Sequence, residues 1–355
     1  LSRILLLGGG HARPPLLRRL ARLKRAGHDL GLLAPAPQCW AEAVPAILSG
    51  RVDPAVAWLD AGAMAEKAGI YFFDDDVVRV DTAAGQVHRT QGEPLGFDIL
   101  SIAPTALTRP LPGTVDHPRC FATRPLPSLL ALRAALATRF QQHPGRAVAL
   151  TIAGGGVTAC WLALALIGLA AREGGHIAVT ILTRGRLLTR LPEPAGVQLI
   201  EALAAHGTIL QEMAPVKRVE GNEAVLDDGD RIAFDLFVNA TGAAGPGWLR
   251  ESGLPVDADG RLRTAADLCL PGSGRIIAAG EAVSPDDGRY PGWKGMAAAI
   301  TALTNGQPAP TAPMHPPPWL VDFGDGRALA AWGPYWNLGR LAAWALRRAE
   351  GRWLF

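Results

Sequence analysis

At 355 residues and 49% apolar composition, the chain has enough material for two or three domains with real cores. Lysine and arginine number 35 against 32 acids, and a net charge of +3 falls well short of the basic stripe that nucleic-acid binding requires. Cys39, Cys120, Cys160 and Cys269 lie far apart, with no CxxC and no Cys/His cluster at zinc spacing. They read as buried free thiols in a reducing compartment, with neither a structural metal nor a local redox dithiol.

The first stretch, LSRILLLGGGHARPPLLRRL, takes an apolar run (Ile4 to Leu7) into three glycines and then into leucines at helical spacing. This predicts a buried strand, a tight turn and a helix. Gly8 permits the turn, and the missing side chain at Gly10 lets main-chain N–H groups and a helix N-terminus approach a pyrophosphate. No leader of charged and apolar regions precedes the glycines, and the longest apolar run, Ala159 to Ala171, is shorter than the ~20 residues that span a bilayer. The expected location is cytoplasmic.

A second strand, His28 to Leu33, ends in Ala34, where a dinucleotide fold ordinarily places an acid for the ribose. Gln38 to Arg51 reads as an irregular or short helical connection, and Ala55 to Ala68 as one helix. Strands at Val77 to Val80 and Gln86 to Thr90 and a strand Phe97 to Ile102 form a meander. The Pro-rich Arg109 to Pro127 reads as a crossing between domains, and Leu129 to Phe140 as a helix.

The architecture then repeats. A strand (Val148 to Ile152), a turn (Gly154 to Gly156), a helix (Thr158 to Ala171) and a strand (Ile177 to Leu182) come first; VKRVE at 216–220 answers VRVD at 78–81, and FDLF at 234–237 answers FDIL at 97–100. Agreement of several parts in order points to two nucleotide-binding units, one for a flavin dinucleotide and one that delivers a nicotinamide.

These parts carry a resemblance. GGGHA at 8–12, EAVPAILSG at 42–50, FDILSIAPT at 97–105, GGGVTACWLA at 154–163, FDLFVNATGA at 234–243, IIAAGEAV at 276–283 and GDGRALAAWG at 324–333 resemble the FAD-dependent pyridine nucleotide-disulfide oxidoreductase superfamily. Within it the nearest branches are type II NADH dehydrogenases, sulfide:quinone oxidoreductases and the flavoprotein domain associated with selenide, water dikinase. The resemblance implies an α/β fold of two Rossmann-like domains with three-layer ββα construction and β-meanders. An FAD domain would span 1–110 and 245–315, an NAD(P) domain 111–244, and a C-terminal strand with an amphipathic helix 316–355.

It also implies site residues. FAD would meet Gly8, Gly10, His11, Ala12, Pro35, Val78, Pro104, Thr105, Gly280, Glu281 and Gly295, with Glu281 standing where relatives carry an Asp. His11 reads either as a donor to the pyrophosphate or as a packing and capping residue. The helix after Gly292 would aim its N-terminus at the flavin pyrimidine, with Lys294 adding a full charge as the catalytic residue or lying on the surface. NAD(P)H would meet Gly154, Gly156, Thr158, Thr183, Arg184, Thr241 and Gly242. Thr183-Arg184 in place of an acid favours a 2′-phosphate, hence NADPH. Arg13 at the third-glycine position, Ala34, Ala159 and Trp161, which replaces a Glu near the nicotinamide, depart from the pattern.

Without a dithiol, the acceptor is expected to be quinone-like. From Leu338 to Ala349, Leu338, Leu341, Ala342, Ala345 and Ala349 share one helical face, Arg340 and Arg347 lie opposite, and Trp332, Trp336, Trp344 and Trp353 surround them. Such a basic, Trp-bearing segment (332–355) suits the inner face of an anionic membrane, a packed helix or a homodimer contact. Two other classes stay open: a degenerate interaction protein without cofactor, and a sulfide- or selenium-linked flavoprotein using Cys120 or Cys160.

Overall fold

The computed structural model describes every residue except 40–42, 285–291, 313–318, 324–326 and 355, and only the backbone of 39, 57 and 349–354. Glu42 of the EAVPAILSG block, Gly324 to Gly326 of the last block and the side chain of Trp353 therefore lie outside the described residues.

The first part of the chain runs β1 (Arg3–Leu7), α1 (Pro14–Arg25), β2 (Asp29–Leu33), β3 (Gln38–Cys39), α2 (Val44–Leu48), β4 (Trp58–Leu59), α3 (Ala61–Lys67) and β5 (Tyr71–Phe73). It continues through β6 (Val77–Asp81), β7 (Gln86–Arg89), β8 (Leu95–Gly96), β9 (Ile99–Ile102) and β10 (Leu107–Thr108). The middle holds β11 (Cys120–Ala122), α4 (Leu126–Gln142), β12 (Ala147–Ala153), α5 (Val157–Glu173), β13 (His176–Leu182), α6 (Glu193–Ala205) and β14 (Ile209–Gln211). Then come β15 (Val216–Glu220), β16 (Glu223–Leu226), β17 (Arg231–Ala233), β18 (Leu236–Asn239), β19 (Ala243–Ala244) and α7 (Gly247–Glu251). The last part is β20 (Ile276–Ala278), α8 (Trp293–Thr304), β21 (Trp319–Asp322), β22 (Ala328–Trp332), β23 (Tyr335–Gly339) and α9 (Arg340–Leu354).

Two compact units result. Unit 1 comprises residues 1–39, 58–107 and 243–316, and unit 2 comprises 40–57, 108–242 and 317–355. Residues 40–57 and 317–355, placed from sequence in the first domain and in a separate element, group with unit 2.

Unit 1 is built on a parallel sheet of order β20-β9-β1-β2-β5. Both faces of β1 are buried, as an all-parallel sheet demands. Ile4 and Leu6 pack with Leu16, Leu17 and Leu20 of α1 and with Met296 and Ile300 of α8. Leu5 and Leu7 pack on the other face with Val80, Val87 and Phe97 of the meander. Unit 2 repeats the plan with order β11-β18-β12-β13-β14 and a meander β15-β16-β17. The repeat extends to an irregularity, since the β6–β7 register shifts between Val77 and Arg79 and the β15–β16 register between Val216 and Arg218. The expected α/β architecture of two Rossmann-like units with meanders is the one present.

Two local expectations are corrected. Residues 55–68 do not form one helix: a 3-10 turn (Pro54–Ala57) precedes β4, and α3 starts only at Ala61. Asp60 stops the longer helix by acting as its N-cap, its Oδ1 accepting from Ala63 N at 2.8 Å, and Trp58-Leu59 pairs with Gln38-Cys39 instead. In the tail, Leu338 belongs to β23, opposite Leu329, and α9 starts at Arg340. The buried face is Ala342, Ala343 and Leu346, packed over Ala328. Two adjacent alanines let the helix lie close to the sheet, and of the residues read from sequence as one face, Ala342 is buried while Leu341 turns outward with 74% exposure. The hairpin is tied down by Arg51 on Asp322 at 2.7 Å, both largely shielded.

Candidate functional site

Because the strands of each main sheet are parallel, all their C-terminal ends lie along one edge, the usual place for a ligand in such sheets. In unit 1 that edge carries Gly8 after β1, Ala34 and Pro35 after β2, Ala103 to Thr105 after β9, and Ala279 to Glu281 after β20. Small residues stand at four neighbouring strand ends, which lets an extended ligand come close to the backbone there. The glycines are required there. Gly8 has φ +94°, and a Cβ on it would stand 2.5 Å from Ala103 O and Pro104 Cα; one on Gly10 would stand 2.7 Å from Ala103 O.

The donors of this turn are largely used within the fold. Gly8 N donates to Leu33 O and Gly10 N to Ala103 O. Pro14 and Pro15 open α1 without any N–H, and Leu16 N and Leu17 N both donate to Arg13 O. The first glycine turn thus offers close approach and a helix dipole, but few free main-chain donors.

Of the two readings left open for His11, donor to the pyrophosphate or packing and capping residue, its surroundings fit the second: it is fully buried, with Nδ1 3.2 Å from Gly8 O and Nε2 2.8 Å from Ser101 Oγ. A carbonyl only accepts, so Nδ1 carries the proton and Nε2 accepts from the Ser101 hydroxyl. Desolvation lowers its pKa to about 4, so the ring is neutral and braces the turn from behind. Ala12 is buried too.

Pro104 is half-buried and Thr105 exposed at the edge. Val78 lies on the separate meander sheet and is half exposed, and the parallel-sheet edge does not gather it with the turn. Gly280, φ +88°, turns the chain after β20, and Glu281 is exposed beside it. α8 packs on α1 and β9. Its first turn holds Lys294, exposed with Nζ 5.8 Å from the Trp293 ring centroid, and Gly295; Gly292 caps it with no side-chain bond.

In unit 2 the equivalent edge collects Gly154 after β12, Thr183 after β13, Glu212 after β14, and Asn239 at the end of β18 with Ala240 to Gly242 after it. Gly154, φ +145°, has no room for a Cβ against Ala240 O, and Gly155 has none against Thr183 Oγ1. Gly156 differs: it is exposed, nothing lies within 4 Å of where its Cβ would stand, and it is the N-cap of α5 with no side-chain cap. An open helix N-terminus of this kind is a seat for an anion. Thr158 is half-buried in the first turn, and Trp161 half-buried one turn further on.

Thr183 is buried under Gly155, whereas Arg184 is exposed, and Arg186 and Arg190 are exposed on the same loop. The loop is held to the turn by Leu188 N on Gly155 O at 2.8 Å and to β14's end by Leu187 N on Glu212 Oε1 at 2.7 Å. Asn239 Oδ1 accepts from Thr241 N and Oγ1, and its Nδ2 donates to Arg109 O. Arg109 N donates to Gly242 O, which sets the guanidinium 3.8 Å from the Cβ position of Gly242. Sequence reasoning did not single out Arg109, Arg186 or Arg190 on this edge; the arginines near Thr183 were visible as TRGRLLTR, and Arg109 has no motif.

The described thiols are poor nucleophiles. Burial pushes Cys120 and Cys160 up to about 12 and Cys269 up to about 11, and all three are free. The sulfide or selenium chemistry considered for Cys120 and Cys160 needs a thiolate, which these sites suppress.

Residues 2–306 match the family described as pyridine nucleotide-disulphide oxidoreductase. Demethylphylloquinone reductase NdbB of Synechocystis sp. is 28% identical over 311 residues, 80% of this chain and 72% of that protein. Among solved structures, the sulfide:quinone oxidoreductase of Aquifex aeolicus superposes with a TM-score of 0.82 at 16% identity, covering 99% of this chain and 90% of that one. A ferredoxin reductase from Rhodopseudomonas palustris gives 0.72 at 19% identity, covering 93% and 82%.

Proposed function

The chain belongs to the pyridine nucleotide-disulphide oxidoreductase family, and from that premise we propose that it oxidises NADPH and passes the electrons to a quinone-like acceptor at a membrane surface. It is an FAD-dependent NAD(P)H oxidoreductase. Bound FAD supplies the two-electron acceptor for the nicotinamide's hydride, so the chain itself is asked for alignment and water exclusion more than for proton transfer.

Residues 1–110 with 245–315 are the proposed FAD domain. The Gly8–Gly10 turn lets the pyrophosphate approach, and Pro35, Pro104, Thr105, Gly280 and Glu281 would border the bound FAD, with Val78 the outlying member of the set. Lys294 and the N-terminus of α8, through Gly295, would favour negative charge on the reduced ring. Residues 111–244 are the proposed NAD(P) domain, with the pyrophosphate on Gly154, Gly156 and Thr158 and the nicotinamide side against Thr241 and Gly242. Thr183 and Arg184 would select the 2′-phosphate, since the end of β13 itself carries no carboxylate and a guanidinium can bind a phosphate bidentately.

The observation that carries the acceptor assignment is the state of the thiols: among the described residues none is poised for disulfide exchange, which favours direct delivery to a diffusible acceptor. The names of the NdbB and Aquifex relatives point to quinones. Purified protein should show flavin absorbance bleached by NADPH and restored by a soluble quinone. Steady-state kcat/KM should favour NADPH over NADH by about tenfold or more, and Arg184→Glu should erase that preference. Equal use of both nucleotides by the wild type would refute the 2′-phosphate assignment; a protein without flavin bands that takes up no FAD would refute the whole reading.

The tail supports the membrane part. Trp332, Tyr335, Trp336, Leu341 and Trp344 are all exposed large apolar side chains, and Arg340, Arg347 and Arg348 are exposed among them. Among the described residues no helix is long and apolar enough to cross a membrane. An aromatic and basic surface of this composition suits the interface of an anionic leaflet. Wild type should co-sediment with vesicles containing anionic lipid and dissociate with salt. The double variant Leu341→Ser/Trp344→Ser, whose side chains are exposed so that the fold is kept, should lose most of that binding. Equal pelleting of both would remove α9 as the anchor.

A further inference from the structure

Ala34 ends β2 with its side chain buried, so the place where a carboxylate ordinarily meets the ribose of a bound dinucleotide offers no polar side-chain atom. The first turn is also short of main-chain donors, as Pro14 and Pro15 have no N–H and Gly8 N and Gly10 N are engaged. Recognition of a polar ligand there falls to side chains.

One side chain is built into the turn. Gln38 is 8% exposed and opens β3, where its register opposite Leu59 of β4 fixes its backbone. Its amide lies directly over the middle glycine, so that a Cβ on Gly9 would overlap Oε1 and Cδ. The orientation of that amide is determined by chemistry. Nε2 donates to Pro35 O, and a carbonyl cannot donate in return, so the oxygen is the end that faces the turn. An amide oxygen above the glycines is an acceptor of the kind that a carboxylate at the end of β2 ordinarily supplies to ribose hydroxyls.

We propose that Gln38 is the ribose-recognising residue of the first glycine turn, its Oε1 accepting hydrogen bonds from the adenosine hydroxyls of FAD. The proposal rests on the reading of this turn as the FAD site. It explains why the chain tolerates Ala34: the acceptor has moved four residues along, onto a two-residue strand that packs it against the turn. The nearest acid along the edge, Asp74 after β5, is exposed, and its Oδ1 already accepts from Ala36 N at 2.8 Å.

The test is FAD binding to the apoprotein, followed by quenching of flavin fluorescence, for FAD and for its analogue lacking the 2′-hydroxyl of the adenosine ribose. Wild type should bind FAD about tenfold more tightly than the deoxy analogue, as loss of one buried hydrogen bond predicts. Gln38→Leu should bind both with the weaker affinity. Circular dichroism of each variant reports whether the fold is kept. Undiminished discrimination in a folded Gln38→Leu variant overturns the proposal, and so does its loss in Asp74→Asn with retention in Gln38→Leu. A wild type that binds FAD and the analogue equally also overturns it, while a wild type that binds neither overturns the underlying reading of the turn.

Discussion

Gly156→Asp should leave the protein folded and yellow while abolishing its use of NAD(P)H. The position has an unusual combination of properties. Gly156 sits at the N-cap of α5 with ordinary extended backbone, φ −86° and ψ 171°, so a side chain is conformationally acceptable. Nothing stands within 4 Å of where its Cβ would be. Aspartate is among the best N-cap residues, and its negative charge complements the helix dipole, so the substitution should stabilise the unit by a few tenths of a kcal/mol. The same carboxylate would occupy the seat proposed for the pyrophosphate and repel it. The KM for NADPH should rise by about a hundredfold, the scale of placing like charges in direct contact where an ion pair to the helix end stood. Flavin content should not change, because the turn lies in the other unit. Retained affinity for NADPH would mean that the second glycine turn is architectural only. Gly154→Asp would be uninformative by comparison, since its φ of +145° and the closeness of Ala240 O make any side chain disruptive.

What could be read from the residues, and what could not, divides along physical lines. The glycine turns, the strands before them and the repeat of order were legible because they depend on patterns local in sequence: buried runs with both faces apolar, and glycines where the backbone must pass another strand end. Even the displaced register in the two meanders falls inside the repeated VRV and KRV segments. The helix expected at 55–68 failed because periodicity alone does not register that Asp60 caps more favourably than it continues a helix. The face that α9 buries was not decided by the sequence, for a different reason. Apolar side chains at helical spacing define two overlapping stripes, and only the sheet beneath, with Ala328 facing Ala342 and Ala343, decides that the small residues go inward. Gln38 was invisible because its placement depends on a two-residue pairing with residues 58–59 and on the empty side chain of Gly9, neither of which forms a motif. His11 was ambiguous for the same reason: whether it faces the ligand or the core is set by Ser101, ninety residues away in β9.

His11 should also make the protein acid-sensitive in a defined window. Buried among β1, the turn and β9, it is held neutral chiefly by desolvation, against smaller opposing effects from the carbonyls of Gly8 and Leu7, with its pKa lowered from 6.5 to about 4. The unfolded chain therefore binds a proton at this position between those two values and the folded chain does not. Stability rises with pH wherever the unfolded state holds more protons, so this contribution is complete above pH 6.5 and is lost as pH falls toward 4. The full span corresponds to roughly 3 kcal/mol, and about 2 kcal/mol of it should be gone by pH 5. Urea unfolding monitored at pH 7.5, 6 and 5 should show this decline in the wild type, and His11→Gln, which keeps polar groups but cannot ionise, should show a flatter profile over the same interval. Parallel profiles for the two proteins would exclude His11 as the titrating group. The consequence for function follows from where the proton would go. Protonating Nε2 removes the acceptor for the Ser101 hydroxyl and with it the brace behind the first glycine turn, so the loss of FAD on mild acidification should track the same window and be blunted in the same variant.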